Sequence, residues 1–454
     1  MANPTMTRED VCRLLGRVAF GATAKDIDEW TGKPYADLVD RLLAVPTAPA
    51  GPDEAGRLLG ATPGLAVGAD FTARLWWMER MRSTPFPLLE RMTLFWHGHF
   101  ATAIKPPPLV PTAAQVVQQV ETLRTNATGN FRTIVRLMTI DAAMLMWLNG
   151  NENRVPNPNE NYARELFELF TLGKRPQVYT EKDIREAARA LTGWFVVPGS
   201  ELAVAFDAGR HDTGNKQVLG RTIVNKGAQE FLDVVDAALA QPVAPLFLAY
   251  KLVQEFAYVP RTRNVLTAPD PLVKKVAATL VSSDWDVAKA MRTLMLADEF
   301  RLGSALKGQQ RVRQPVEQVV AACKALGVYA DNGALLEPLT RMGQLLLTPP
   351  NVGGWPVGGG WLSPVTQLGR YDLAFLLSDG LSLNPGHLRE MALHDYPDPD
   401  DLAGWTKLFG LPALSATTAN AIRAFLAKRK SDPANERQAG VVALILSSPE
   451  WVVM

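Results

Sequence analysis

The sequence predicts a mainly α-helical, multi-helix protein carrying a small β-hairpin insert at about 194–224 and a long Pro/Gly/Trp loop. Three observations predict it. Apolar residues recur three and four positions apart along most of the chain, the spacing of a helix with one buried face. The 47% apolar fraction of 454 residues suffices for a large core. Alternating β-type runs and dense proline–glycine punctuation are confined to a few stretches. Length alone favours two or three lobes.

In chain order, Arg13 to Phe20 and Tyr35 to Leu43 read as amphipathic helices, followed by Leu75 to Met81 and Leu88 to Trp96. In the last of these Leu88, Leu89, Met92, Phe95 and Trp96 share one arc. Ala113–Thr125, Phe131–Met138 and Ala142–Leu148 continue the pattern. Asn157 or Asn159 can cap the next helix, Pro158 suits its first turn, and Gly173 closes it. Thr180 with Asp183 forms a capping-box signature for Glu181 to Thr192, and Gly193 stops it.

From Trp194 to Val224 the rhythm changes. Phe195-Val196-Val197 and Gln217-Val218-Leu219 are short β-type runs, and the expectation is one hairpin turning near Gly220. Helices resume at Glu230–Leu239, Pro245–Phe256, Pro271–Ser282, Val287–Leu296 and Val316–Leu326. The loop Leu347-Thr348-Pro349-Pro350-Asn351-Val352-Gly353-Gly354-Trp355-Pro356, then Gly358-Gly359-Gly360-Trp361, excludes a regular element. A C-terminal helical part at about 364–454 completes the chain, with Pro449 as a stop.

Composition narrows the function. A net charge of +1 gives no basic excess to neutralise a phosphate backbone, which argues against nucleic acid. Lys428-Arg429-Lys430 reads as a solvated helix end. No apolar run approaches the roughly 18 residues of a membrane span, and Met1 to Cys12 contains no apolar leader segment. With only Cys12 and Cys323, one long-range bridge is the most that can form, and a thiolate cluster is excluded. The expectation is a cytoplasmic protein that binds neither membrane nor nucleic acid.

Three constellations carry the polar chemistry. Glu90, Thr93 and His97 lie within about 60° of one another on a helix. If Gly98 opens the chain there, His97 and His99 project to one side as i and i+2, a spacing that suits a shared metal ion. The structural alternative makes His97 a helix C-cap and His99 a hydrogen-bonded core residue. The second constellation, Asn159-Glu160-Asn161-Tyr162-Ala163-Arg164-Glu165, sets Asn161, Arg164, Glu165 and Glu168 on one arc, with Glu160 at its margin. It reads either as a carboxylate held by Arg164 for metal or proton work, or as a wet face with Glu160–Arg164 and Arg164–Glu168 pairs. In the third, His211 and Asp212 offer a ligand or an acid/base pair and Lys216 an anion contact. Asp212 and Asn215 beside Gly214 are equally ordinary turn residues. No phosphate-binding glycine motif and no nucleophile elbow occurs.

At these motifs the chain resembles the domain-of-unknown-function 1800 family of bacterial proteins. The resemblance rests on Leu14-Leu15-Gly16-Arg17, Phe95-Trp96-His97-Gly98-His99-Phe100, Asn159 through Leu166 with Thr171-Leu172-Gly173, and Ala188-Arg189-Ala190-Leu191-Thr192-Gly193-Trp194. His211-Asp212, Pro350-Asn351-Val352-Gly353-Gly354-Trp355 and Ser448-Pro449-Glu450 complete it. It implies one family-wide α-rich domain over residues 1–454 and a shared site at the three constellations. It also implies a sulfatase-like protein partner, and an export signal in many members, from which this chain departs by starting at its first helix.

Together these readings lead to the expectation of a metal-dependent enzyme acting on a small molecule or peptide that the sequence does not identify. His97, His99 and Glu165 are the expected ligands of a divalent metal (Fe, Zn or Mn). Glu160, Arg164, His211, Asp212 and Lys216 are the expected acid/base and anion-orienting groups. The apolar walls formed by Phe95, Trp96 and Tyr162 tilt the expectation to oxidoreduction over hydrolysis. A non-catalytic binding or assembly protein is the alternative, with the polar groups as a structural network and the Trp355–Trp361 loop as the contact surface.

Overall fold

A computed structural model describes residues 4–45, 69–105, 110–260, 268–302, 311–331, 333–382 and 396–453. It is mainly helical, as the periodicity predicts. Among the described residues the helices are α1 (Arg8–Val18), α2 (Ala24–Trp30), α3 (Tyr35–Leu43), α4 (Ala69–Ser83), α5 (Pro87–His99), α6 (Ala113–Thr125), α7 (Phe131–Thr139) and α8 (Ala142–Trp147). Helix α9 (Asn161–Glu165) passes directly into a π-helical turn, Leu166–Thr171, and α10 spans Glu181–Ala190. After the insert come α11 (Glu230–Leu239), α12 (Val243–Phe256), α13 (Pro271–Ser282), α14 (Val287–Leu296), α15 (Asp298–Arg301), α16 (Pro315–Leu326) and α17 (Leu336–Arg341). The C-terminal part holds α18 (Pro364–Ser382), α19 (Leu402–Leu408), α20 (Ala416–Lys428), α21 (Ala434–Leu446) and α22 (Pro449–Val452).

The caps explain the boundaries. Thr7, Thr23, Thr112 and Thr180 each close a capping box with the acidic or amide residue three positions on. Asn159 Oδ1 accepts the Asn161 amide at 3.0 Å and starts α9. The helix before Pro449 ends at Leu446, as expected, and Pro449 then opens α22 at the first-turn position, where no amide hydrogen is needed.

Helix α5 is the pivot of the packing. Its Leu88, Leu89, Met92, Phe95 and Trp96 belong to one apolar core with α1, α3, α7 and α12 to α14, whereas Leu94 belongs to a second core built from α4, α16, α18 and α21. Glu90, Arg91, Thr93 and His97 are buried as well, so the helix is enclosed on every side. The Glu90 face meets α4 and α6: Trp77 Nε1 donates to Glu90 Oε2 at 3.3 Å and Arg124 Nε to Oε1 at 2.5 Å. Cys12 and Cys323 are both free and buried in different cores, and no bridge links them.

The β insert differs from expectation by one element. Lys216–Val218 and Arg221–Ile223 (β3 and β4) form the hairpin expected at Gly220, with Leu219 at φ 51° and Gly220 at φ 79°. Left-handed backbone at both central positions is the turn that matches strand twist. A second pair, Trp194–Val196 with Val204–Phe206 (β1 and β2), sits beside it. Its first strand overlaps the expected β-type run Phe195-Val196-Val197; the second, reached by a longer connection, carries no two-residue turn signal. Side chains of α10 hold the insert, since Asp183 Oδ1 accepts the Leu219 amide at 2.8 Å and Glu186 Oε2 the Gln217 amide at 2.9 Å.

The Pro/Gly/Trp loop folds onto the end of α5. Asn351 Oδ1 accepts the Gly353 amide at 2.8 Å, and the Asn351 carbonyl accepts the Gly354 amide at 3.1 Å, which turns the chain. Gly354 has φ +83°, and a Cβ there would stand 2.1 Å from the Gly98 carbonyl oxygen. Both demands exclude a side chain. Gly354→Ala should therefore cost at least about 1–3 kcal/mol from the left-handed backbone alone, read as a lowered thermal midpoint. Gly359→Ala, with nothing within 4 Å of its Cβ position, should stay within about 0.5 kcal/mol of the parent.

Candidate functional site

The two imidazoles of α5 diverge. Gly98 does not open the chain, because α5 continues through His99. At about 100° per residue, positions i and i+2 of a helix then point to opposite sides. His97 meets Trp77 and Trp355 edge-on, with ring centroids at 5.4 and 5.3 Å. His99 is ringed by Phe95, Trp96, Phe100 and Phe170. Burial pushes both imidazoles down to about 3, and for His99 the neighbouring Lys251 charge acts in the same direction. Both rings are neutral near pH 7.

The acidic helix comes next to His99, though its carboxylates stay apart from it. In the last turn of the π-helical segment, carbonyls lack intrahelical donors, and the Phe170 carbonyl accepts from His99 Nε2 at 3.0 Å. Arg164 pairs with Glu160 at 3.1 Å, Glu168 at 3.9 Å and Glu181 at 2.7 Å, all on a part-exposed face. Glu165 is half-buried; burial and the neighbouring Glu168 hold its carboxyl above the usual range. Among the described residues no three His, Cys, Asp or Glu side chains are grouped to hold a metal ion, so His97, His99 and Glu165 do not assemble as one ligand set.

His211, Asp212 and Lys216 form a closed network of their own. The Glu230 carboxylate is fully buried, with His211 Nε2 at 2.9 Å and Lys216 Nζ at 2.6 Å. His211 Nδ1 lies 2.9 Å from the Thr192 carbonyl. Asp212 turns outward to Arg189 at 2.8 Å, and that guanidinium holds its carboxyl below the usual range. Gly193, at φ +97°, passes where a Cβ would lie 2.9 Å from the Asp207 carbonyl. The Ala188–Trp194 and His211–Asp212 motifs are thus two sides of one packed junction. Glu230, the anchor, escaped the sequence reading because one glutamate on an amphipathic helix is ordinary.

The open site lies on the other side of α5. Leu94, Phe95, Gly98 and His99 of α5, Lys251, Gln254 and Glu255 of α12, Gln314, and the loop residues Gly353, Trp355, Pro356 and Val357 line a small cleft, partly open to solvent. Of the expected ligands and acid/base groups only His99 is in this lining, together with Phe95, expected as an apolar wall, and Trp355 of the expected contact loop. A carbonyl can only accept, so the bond to Phe170 assigns the ring hydrogen to Nε2 and leaves Nδ1 as a bare lone pair. That atom is shielded from solvent and has no partner among the described residues. Trp355 Nε1–H is likewise shielded and without an acceptor there.

Behind the cleft stands a buried four-charge network. Arg91 lies 2.9 Å from Glu255 and 2.8 Å from Glu317, and Arg311 lies 3.5 and 2.7 Å from the same two carboxylates. Gln314 Nε2 adds bonds to Glu255 at 2.8 and 3.0 Å. Lys251, half-buried, makes no ion pair among the described residues; burial lowers its ammonium from the usual range. On α12, positions 251, 254 and 255 fall at i, i+3 and i+4 on an otherwise apolar helix. That lone polar stripe is the signal by which the sequence marks this wall.

A helical protein with a small, partly open cleft at the meeting of its FWHGHF and PNVGGWP motifs is the class that fold and site define. The chain belongs to the family described as "Protein of unknown function (DUF1800)", whose model matches residues 13–453. No curated protein and no solved structure matches it. Among the described residues no single helix is long and apolar enough to cross a membrane.

The networks give two expected outcomes. Lys216→Met leaves Glu230 buried with its principal cation removed and should cost about 3–5 kcal/mol, measured by urea denaturation. His97 and His99 have folded values depressed to about 3, below the unfolded value of about 6.5. The unfolded chain therefore binds more protons as pH falls, and the stability present above pH about 6.5 is lost towards pH 3 at about 1.4 kcal/mol per pH unit for each ring. His97→Phe, which keeps an aromatic ring between Trp77 and Trp355, should remove half of that slope in urea midpoints between pH 6.5 and 5. An unchanged slope would show that His97 is not held neutral.

Proposed function

We propose that the protein binds a small polar organic molecule in the cleft between α5, α12 and the 351–361 loop. The observation that carries this reading is the Nδ1 lone pair of His99. It is fixed in orientation by the Phe170 carbonyl, buried, and without a protein partner among the described residues, on a residue that lines the cleft. A buried acceptor left unbonded costs free energy that a ligand donor recovers. With its folded value near 3, His99 acts at neutral pH as an acceptor rather than as a proton carrier. That supports binding ahead of acid/base catalysis by this ring. The saturated His211–Glu230–Lys216 junction supports the same division of labour, since its groups are engaged with one another.

A metal-dependent oxidoreductase or hydrolase using Fe, Zn or Mn is the second reading. The same free Nδ1 favours it, because a neutral imidazole is a competent ligand; the Lys251 charge beside it opposes a cation.

Native mass spectrometry of the full chain after exposure to a cell-extract metabolite pool tests both. One small molecule per chain is expected, lost in Gln254→Trp, where an indole fills the cleft. No mass difference between parent and plugged variant overturns the binding reading. One tightly held divalent metal per chain, lost in His99→Phe, favours the second.

A further inference from the structure

We infer that the outer face of α18 is the contact through which two copies of this chain pair, antiparallel, about a two-fold axis. This helix carries apolar residues on both faces and turns its one arginine inward. Leu373, Ala374 and Leu377 pack in the second core, and Thr366 and Arg370 are buried beside them. Arg370 donates to the Trp361 carbonyl at 2.7 Å and to Gln318 Oε1 at 3.2 Å. Facing out instead are Val365, Leu368 and Phe375, at 59, 57 and 62% exposure, with Tyr371 among them. At about 100° per residue these four fall within an arc of about 120° on the side away from Arg370. Leu362, also exposed, adds to the row just ahead of the helix.

Other helices of the protein meet water differently. Lys25, Asp28 and Glu29 are the exposed residues of α2, and α13 exposes Lys274 and Lys275. A helix that is apolar on every side is one with partners on every side. Single exposed apolar residues mean little, but this row of five leaves roughly 500 Å² of apolar surface in water, in the upper part of the 300–600 Å² range of the largest patch on a typical monomer. A stable dimer buries about 800 Å² per partner, with an apolar centre of this kind and a polar rim.

Charge and shape select a second copy as the occupant. A two-fold contact sets each group beside its own image, so a formal charge within the row would face itself. The row has none, and Asp372 at its margin is already paired with Arg341 at 2.5 Å. Shape agrees: with the axis near position 370, Val365 meets the partner's Phe375 and Leu368 meets the partner's Tyr371. Each contact sets a shorter side chain against a longer one, along about 15 Å of helix. A lipid surface would instead call for basic residues around the row. Glu337, Asp372 and Asp379 there outnumber Arg341.

Sedimentation velocity of the full chain over a range of about 1 to 100 μM tests the inference. The 49.6 kDa chain should move to twice that mass as its concentration rises. Leu368→Glu and Tyr371→Glu, each setting a charge beside the axis against its own image, should each raise the dimer Kd by about tenfold or more. Val281→Glu, at a residue 65% exposed on α13, should leave it unchanged. A short bismaleimide should join Val365→Cys to Phe375→Cys in a mixture more readily than either variant to itself, the native Cys12 and Cys323 being buried. Cross-linking confined to the unmixed variants overturns the antiparallel pairing. A monomer at every concentration overturns the inference, and so does a dimer indifferent to both glutamate variants. A monomer that floats with phosphatidylcholine vesicles, and no longer does so as Leu368→Glu, gives the row to a lipid surface and overturns it too. A monomer whose thermal midpoint falls in both glutamate variants gives the row to the chain itself, with the same result.

Discussion

The ion network of Arg91, Glu255, Arg311 and Glu317 is the constraint on which the rest of the architecture turns. Its members come from α5, α12, the strand-like segment before α16, and α16 itself, and all are buried. Charges withdrawn from water are expensive, and a set of this kind is tolerated only when every partner is in place. The two apolar cores meet along α5, and the network sits at that seam, where Arg91 also lies over the rings of Phe20 from one core and Phe256 from the other. Sliding any of the four segments by one helical position would strand a charge in an apolar medium. Apolar packing alone does not fix register so sharply, because Leu and Val side chains accept many near-equivalent neighbours. The network also reaches the loop: Gln314 bonds Gln344 at 2.7 Å, and Gln344 receives the Val316 amide at 2.9 Å. The segment leading into the Pro/Gly/Trp loop is thereby tied to the helices that carry the cleft.

Three histidines illustrate how satisfaction separates scaffold from site. His211 has acceptors at both ring nitrogens, His99 at one, and His97 at neither. The first is spent on holding Glu230 between the insert and α11. The last is enclosed by aromatic edges, and its work is to support Trp77 on one side and Trp355 on the other. Of the three, only His99 combines a fixed tautomer with an unpartnered nitrogen on a residue that lines a cleft. Counting the partners of each nitrogen therefore divides residues that motif spacing treats alike.

Much of the helical frame was legible because its apolar stripes and caps are local properties, and Thr180 with Asp183 or Thr112 with Gln115 are local bonds. The hairpin at Gly220 was legible for the same reason. The β1–β2 pair was only half legible: Phe195-Val196-Val197 reads as a β-type run, but its partner Val204–Phe206 follows a longer connection and not a two-residue turn. The site was legible as a neighbourhood and illegible as a geometry. Glycine lowers helix propensity by about 1 kcal/mol, so a break at Gly98 was the local expectation; enclosure of α5 on every side overrides it. Once the helix continues, His97 and His99 part company, and the ligand set expected from their spacing dissolves. Lys251, Gln254 and Glu255 were missed because their meaning lies in what packs against α12, and no property of α12 alone reports that.

The two glycine motifs explain each other. Gly98 sits on α5 where the loop must come closest, and Gly354 is the loop residue that comes closest, with its backbone against the Gly98 carbonyl. A side chain at Gly354 is barred by space and by φ +83°, whereas a side chain at Gly98 would enter the volume beneath Trp355. One glycine permits the contact and the other keeps the cleft deep. The FWHGHF and PNVGGWP segments, some 250 residues apart, are thus the two faces of one contact. Aromatic rings pack around the same contact: Trp355 meets His97 edge-on and shares the cleft lining with Phe95. The cleft is what the packing leaves open between those rings, with His99 and Lys251 at its wall.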